Sequence, residues 1–117
     1  DLAVFCQMML NKGRHGRVQV FEPETVETFI ARQGNVAGSS RALGWNTATK
    51  DAPGGQYFPE HSIGHTGFTG TCLWIDFDKQ LFGILLTNRV YPTRKAEGVY
   101  EVRNEVFQLL QEGAAGR

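Results

Sequence analysis

Between Gly64 and Thr87 the chain carries a stretch that admits few folds. Thr71, Leu73, Ile75 and Phe77 alternate with Cys72, Trp74 and Asp76, the period-two pattern of a strand whose two faces differ. Asp78-Lys79-Gln80 supplies a polar turn and Leu81 to Thr87 a second strand, so the spacing predicts an antiparallel hairpin. Immediately before it, Gly64-His65-Thr66-Gly67-Phe68-Thr69-Gly70-Thr71 mixes three glycines with hydroxyl and imidazole groups. Glycine lets a ligand or a second backbone approach closely, and a rim bearing Thr, His and bare N–H groups can hold a carbonyl or carboxylate. We read this segment as a binding edge and the rest of the chain as its support.

The support is legible as helices. Leu2, Phe5, Cys6, Met9 and Leu10 share one helical face, and the pattern stops at Gly13, a C-terminal cap. Arg14-His15-Gly16-Arg17 reads as a polar turn leading to a brief extended piece ending near Val20. Glu22-Pro23-Glu24 sets proline at a first helical position with acids at the positive end of the dipole. The second helix is predicted to bury Val26, Phe29 and Ile30 and to end at Gln33-Gly34-Asn35. From Gly34 to Pro59 small and turn-forming residues dominate, with Leu43-Gly44-Trp45-Asn46 predicted as a short strand between loops. After the Tyr91-Pro92-Thr93 loop, a helix is expected from Glu97 to Gln111. Its apolar face carries Val99, Val102, Val106 and either Leu109 or Leu110, and residues 113–117 fray. Helix, helix, strand, hairpin, helix makes an α+β chain, an antiparallel sheet with packed helices, in a single domain over residues 1–117.

Charge narrows the partners. Twelve Lys+Arg balance twelve Asp+Glu with no basic stripe, which argues against nucleic acid and anionic membrane surfaces. The longest apolar runs, such as Phe82 to Leu86, are far too short to span a bilayer, no signal-peptide pattern is present, and the chain reads as soluble. Cys6 and Cys72 are expected as unpaired buried hydrophobes rather than a disulfide. No metal is expected: His61 and His65 are four apart, but Ser62-Ile63-Gly64 between them favours an extended or turn conformation over the helix that spacing requires. No phosphate-bearing cofactor is expected either, because the glycines precede no Gly-Lys-Ser/Thr ending and no helix. His15, Lys79 and Arg89 read as solvated side chains, and Trp45 and Trp74 as core or cleft lining. The chain opens at Asp1 within a helical pattern, as expected of a piece of a longer polypeptide.

One resemblance gathers these features. His65-Thr66-Gly67, the strand after it, the Asp78-Lys79-Gln80 turn, Leu81 through Arg89, Tyr91-Pro92 and a terminal helix together resemble the C-terminal part of the serine β-lactamase and penicillin-binding-protein family, in its class C-like and esterase-like branch. The likeness covers roughly the whole chain and is strongest from Gly64 to Pro92. It implies that His65-Thr66-Gly67 stands where the family carries a Lys-Thr-Gly box on a sheet strand. It further implies that the backbone N–H of Phe68 is one of two oxyanion-hole donors. Thr66 would bind the substrate's polar group, Gly67 would leave room for substrate along the strand, and His65, Thr69 and Arg94 would line the same site. The implied substrates are small esters, amides or peptides, with no cofactor. The implied setting is the bacterial cytoplasm or periplasm, between which the sequence does not choose.

The sequence departs from the family in two ways. The nucleophile there sits in Ser-x-x-Lys, and none of Ser39, Ser40 or Ser62 has Lys three positions on; nor do the tyrosines form a Tyr-x-Asn box. The chain thus carries one wall of such a site and is expected to be inactive alone. His65 in place of Lys exchanges a permanent cation for a group that titrates near neutrality, which weakens carboxylate recognition and favours ester or peptide hydrolysis over β-lactam hydrolysis. Val90 and Thr93 after the last strand point the same way, with Arg94 as the available cation. The alternative is a non-catalytic module using the same edge for a peptide or partner protein. Self-association through an exposed sheet edge is a third expectation.

Overall fold

In the computed structural model, which describes residues 1–116, the chain opens with α1 (Leu2–Leu10), a small hairpin of β1 (Arg14–His15) and β2 (Val18–Gln19), and α2 (Pro23–Ile30). Then come β3 (Asn46–Thr47), a 3₁₀ turn at Gly55–Tyr57, β4 (Ser62–Thr66), β5 (Cys72–Asp76), β6 (Leu81–Leu85) and α3 (Val99–Ala115). The last four strands make one antiparallel sheet in the order β3-β4-β5-β6, so the α+β class expected from the sequence is the observed one.

The alternation along β5 distributes the core. Directly opposed residues of an antiparallel pair share a face, and the register sets Ile63 against Ile75 and Ile75 against Phe82. That face is covered by α1 and α2, whose Cys6, Met9, Leu10, Val26 and Ile30 complete one core cluster. The opposite face carries Cys72 and Trp74 and is covered by Phe107 of α3 together with Ala48, Ala52 and Phe58. Trp74, Phe107, Ile63 and Ile75 are fully buried, each contributing roughly 2–3 kcal/mol of hydrophobic stabilisation. The molecule is therefore a sheet with helices on both sides, and β5 is common to both cores.

Two glycines make room for this packing. Gly64 and Gly83 stand on either side of Trp74 in the register. A Cβ at Gly64 would overlap the Trp74 indole, and one at Gly83 would lie 2.5 Å from Leu110 Cδ2 and 2.8 Å from Phe107 Cε1. The indole N–H is satisfied by the Pro53 carbonyl at 2.9 Å.

Several elements differ from the sequence-based expectation. α2 ends at Ile30 rather than near Gln33, because Ala31 turns extended and Arg32 reaches away to Thr47, Ala48 and Glu60. Phe29 is half-exposed rather than buried. The strand expected at residues 43–46 is shifted to Asn46–Thr47, since Gly44 takes a left-handed φ of 77° and breaks the extended run. β6 stops at Leu85, short of Thr87. α3 is displaced towards the C-terminus and includes residues 113–115, expected to fray. It also buries Arg103, Phe107 and Gln111, while Val102, Val106 and Leu109 remain on its outer side. Cys6 and Cys72 are free and lie on opposite sides of the sheet.

Candidate functional site

β4 is a strand by context more than by composition, held between β3 and β5. β3 pairs only with Ile63 and Gly64, so the outer edge of His65 and Thr66 carries no strand. At this end of the sheet His65, Thr66, Gly67, Leu73 and Leu86 line a shallow cleft of about 240 Å³. His65 is exposed on the α1 side of the sheet, and Thr66 is half-buried. The His65 ring Nδ1 lies 2.9 Å from the Thr66 carbonyl oxygen. A carbonyl can only accept, so Nδ1 carries the proton of that bond, leaving Nε2 with its lone pair when the ring is neutral.

The loop joining β4 to β5 is fixed through its carbonyls. Gly67 O accepts from Gly70 N at 3.1 Å and from Arg103 Nη2 at 2.8 Å. Phe68 O accepts from Arg89 Nε at 2.7 Å, and Thr69 O from the Arg89 amide at 2.9 Å. Gly70 O accepts from Thr87 Oγ1 at 2.7 Å, and Thr71 O from Gly67 N at 2.8 Å and Arg103 Nη2 at 2.9 Å. By contrast, the amides of Phe68 and Thr69 meet no acceptor among the described residues. Two donors are thus left on a loop whose acceptors are all used.

Glycine is required at two loop positions by the chain itself. Gly70 adopts φ of 114°, and a Cβ there would lie 2.6 Å from Thr87 Oγ1. A Cβ at Gly67 would overlap Thr71 Oγ1. The space that Gly67 leaves is therefore filled by Thr71.

The Phe68 ring projects outward, 57% exposed, with the Arg89 guanidinium 4.5 Å and the Arg94 guanidinium 5.1 Å from its centroid. Arg89 also donates Nη1 to the Arg94 carbonyl at 3.1 Å. The structure thus brings His65, Thr66, Gly67, Phe68, Thr69 and Arg94 into one neighbourhood. It adds Arg89, whose backbone contacts the sequence could not reveal, and Arg103. The signal for Arg103 was present, a lone arginine within reach of the apolar positions of a helix, but the apolar face read from the sequence did not include it.

Behind the site, burial pushes the Cys72 thiol up to about 11, with the Arg103 charge opposing that rise. Asp76, fully buried at the far end of β5, accepts from the Asp78 and Lys79 amides at 3.0 and 2.9 Å and from Gln111 Nε2 at 2.9 Å. It ties the β5-β6 turn to α3. Among the described residues no three His, Cys, Asp or Glu side chains converge on a metal position, and no helix is long and apolar enough to cross a membrane.

Comparison with known proteins bears on this geometry. The Beta-lactamase family matches residues 1–107. An N-acetylmuramyl-L-alanine amidase of Bacillus subtilis (strain 168) is 35% identical over 92 residues, which is 76% of this chain and 20% of the relative. A protein assigned as a D-alanyl-D-alanine carboxypeptidase in Escherichia coli (strain K12) is 37% identical over 92 residues, 76% of this chain and 21% of the relative. The chain thus spans about a fifth of the length of these curated relatives. A crystal structure of a protein assigned as a beta-lactamase from Bacteroides dorei DSM 17855 superposes with a TM-score of 0.62. It is 20% identical and covers 96% of this chain and 39% of its own, a likeness of fold.

Proposed function

Because the chain belongs to the Beta-lactamase family, we propose that it is the C-terminal segment of a serine hydrolase, supplying the substrate-binding and oxyanion strand of the active site. The nucleophile and its lysine come from polypeptide outside these 117 residues. The observation that carries this reading is the Phe68 amide, which meets no acceptor among the described residues and stands at the end of an edge with no strand of those residues beside it.

The chemistry follows from that placement. Serine attack on an ester or amide carbonyl drives charge onto the carbonyl oxygen. A fixed N–H aimed at that oxygen lowers the barrier by roughly 3–4 kcal/mol. The Phe68 N–H is one such donor and the nucleophile's own amide the other. Substrate lies along the unpaired rim of β4, with the Thr66 hydroxyl and the His65 ring holding its polar group and Thr69 and Arg94 closing the far side. Water then releases the acyl group.

The substrate class is a small ester, amide or peptide rather than a β-lactam. His65 stands where the family box carries lysine, and the names of the two relatives denote an amidase and a D-alanyl-D-alanine carboxypeptidase, both of which cleave amide bonds. The purified chain should turn over neither p-nitrophenyl acetate nor nitrocefin. The polypeptide encoded upstream in the same reading frame should contain Ser-x-x-Lys and hydrolyse the ester. Hydrolysis by the 117-residue chain alone, or an upstream frame without that motif, overturns the assignment.

The open rim of His65 and Thr66 also favours a second reading, a non-catalytic module that captures an extended peptide by strand addition. A start codon directly before Asp1 selects it. Self-association belongs at the other rim of the sheet: β6 has five residues and no outer neighbour, whereas β3 has two. Sedimentation showing only monomer at high concentration removes that expectation.

A further inference from the structure

Arg103 is the least expected residue of the molecule. Its side chain is buried with 7% exposure, and no carboxylate forms an ion pair with it among the described residues. A guanidinium in such a place is costly unless its donors are used. Here Nη2 donates to two backbone carbonyls, Gly67 O at 2.8 Å and Thr71 O at 2.9 Å, while Nε has no partner. Both acceptors belong to the loop that follows His65-Thr66. A lone buried cation spent on two loop carbonyls, 36 and 32 residues away in sequence, needs a reason beyond packing.

The geometry points to Arg103 as the positioning residue of the oxyanion donor, an inference that rests on the hydrolase reading given above. The Gly67 carbonyl and the Phe68 N–H are the two ends of one peptide unit. That unit is trans, the cis bond of the chain being Tyr91-Pro92. In a planar trans peptide the C=O and N–H vectors point in opposite directions. Holding Gly67 O towards α3 therefore aims the Phe68 N–H away from it, towards the open side of the loop.

The alternative orientation is a flip of that peptide. Glycine at position 67 makes the flip sterically easy on its own side, since φ and ψ of glycine range widely. A flipped unit would turn the carbonyl outward and present a repelling oxygen to the reaction's developing charge. Arg103 opposes this with the shorter of the two bonds that the carbonyl accepts, 2.8 Å against 3.1 Å from the Gly70 amide, and with the charged donor of the two. Its charge also polarises the same peptide, which strengthens the outward N–H as a donor. Arg89 fixes the next carbonyl, Phe68 O, from the opposite side. The two arginines thus hold the two successive peptide units that meet at Phe68, and the buried one sets the direction of the unit that carries the donor.

The test uses R103M, which keeps the apolar stem and removes the donors, and R103K, which keeps charge but has too compact a head to bridge both carbonyls. In the parent hydrolase, R103M should lower kcat for a p-nitrophenyl ester about 100-fold with KM within a few-fold, the cost of misplacing a catalytic group by about 1 Å. R103K should recover part of the loss. Affinity for a boronic acid that mimics the tetrahedral adduct should fall in parallel with kcat/KM. A purely packing role would instead lower thermal stability while leaving kcat per folded molecule unchanged, which overturns the inference.

A second measurement needs no activity and keeps this inference separate from the functional one. In the unsubstituted 117-residue chain, the Arg103 Nη protons should exchange slowly and show hydrogen-bond couplings to the Gly67 and Thr71 carbonyl carbons by NMR. Fast exchange without those couplings sinks the role assigned to Arg103, whether or not R103M folds. If the couplings are present and the parent hydrolyses nothing, the hydrolase reading fails while the anchoring of the peptide stands.

Discussion

Two buried polar side chains next to each other in the register, Ser62 and Asp76, are in opposite situations. The Ser62 hydroxyl has no hydrogen-bond partner, whereas Asp76 satisfies two turn amides and Gln111. An unmade bond in the interior costs about 1–3 kcal/mol, so Ser62→Ala should be neutral or stabilise by about 1 kcal/mol. Asp76→Ala should destabilise by about 3 kcal/mol because it leaves those donors without an acceptor. The urea midpoint should fall in Asp76→Ala and hold or rise in Ser62→Ala, and a loss of stability in Ser62→Ala would show that the hydroxyl is partnered in solution.

The thiols give a pH dependence whose sign is fixed by burial. Cys6 and Cys72 are each raised from 9.0 to about 11, chiefly by desolvation. Below pH 9 both folded and unfolded chains keep the protons, and the stabilisation is fully present. Between about 9 and 11 the unfolded chain releases protons that the folded chain retains, so stability falls as pH rises through this window. Melting temperatures measured from pH 8 to 11 should decline, and a C6A/C72A variant should decline less.

At the scale of elements, α3 shows how far a sequence pattern reaches. The helix was legible, and so was the hairpin of β5 and β6 that it covers. Its buried side was not, because residues 99–111 carry two apolar stripes. One runs through Val99, Val102, Val106 and Leu109, the other through Phe107 and Leu110 with Arg103 before them and Gln111 after. Periodicity favoured the stripe without charge. The sheet selects the other, because Gly83 opens a hollow that Phe107 and Leu110 fill, and because Arg103 and Gln111 each find buried partners there. Such partners lie far away in sequence, 36 and 35 residues respectively, where no local rule sees them. β4 was only partly legible for a similar reason: Ser-Ile-Gly-His-Thr has no alternation of its own, so its residue types suggested a binding edge and the likeness to a known family placed that edge on a sheet strand. The His65-Thr66-Gly67 edge was visible from its residue types, but the two arginines that shape the loop were not, since they act on backbone atoms. The assignment of faces predicts that Phe107→Ala costs about 3–5 kcal/mol, while Val106→Lys on the outer side changes stability by no more than about 0.5 kcal/mol. Equal losses in thermal denaturation would mean that the outer stripe is covered.

At the scale of the whole molecule, one strand serves two cores. Ile75 belongs to the cluster under α1 and α2, and its neighbour Trp74 to the cluster under α3. A strand cannot keep one face packed while the other dissolves, because its ladder bonds to β4 and β6 hold both sets of side chains in place. The two clusters should therefore unfold as one cooperative unit. The tryptophans make this measurable: Trp74 is fully buried on the α3 side, and Trp45 packs against Phe5 on the other, with ring centroids 6.1 Å apart. In a W45F background, emission reports Trp74 alone. Met9→Ala, a deletion on the α1 side, should cost about 2–5 kcal/mol. Trp74 fluorescence should register the whole of that loss, with a midpoint that coincides with far-UV circular dichroism. A Trp74 transition indifferent to Met9→Ala would mean that the faces melt separately, and that the binding edge on β4 can persist when only one of its supporting layers is intact.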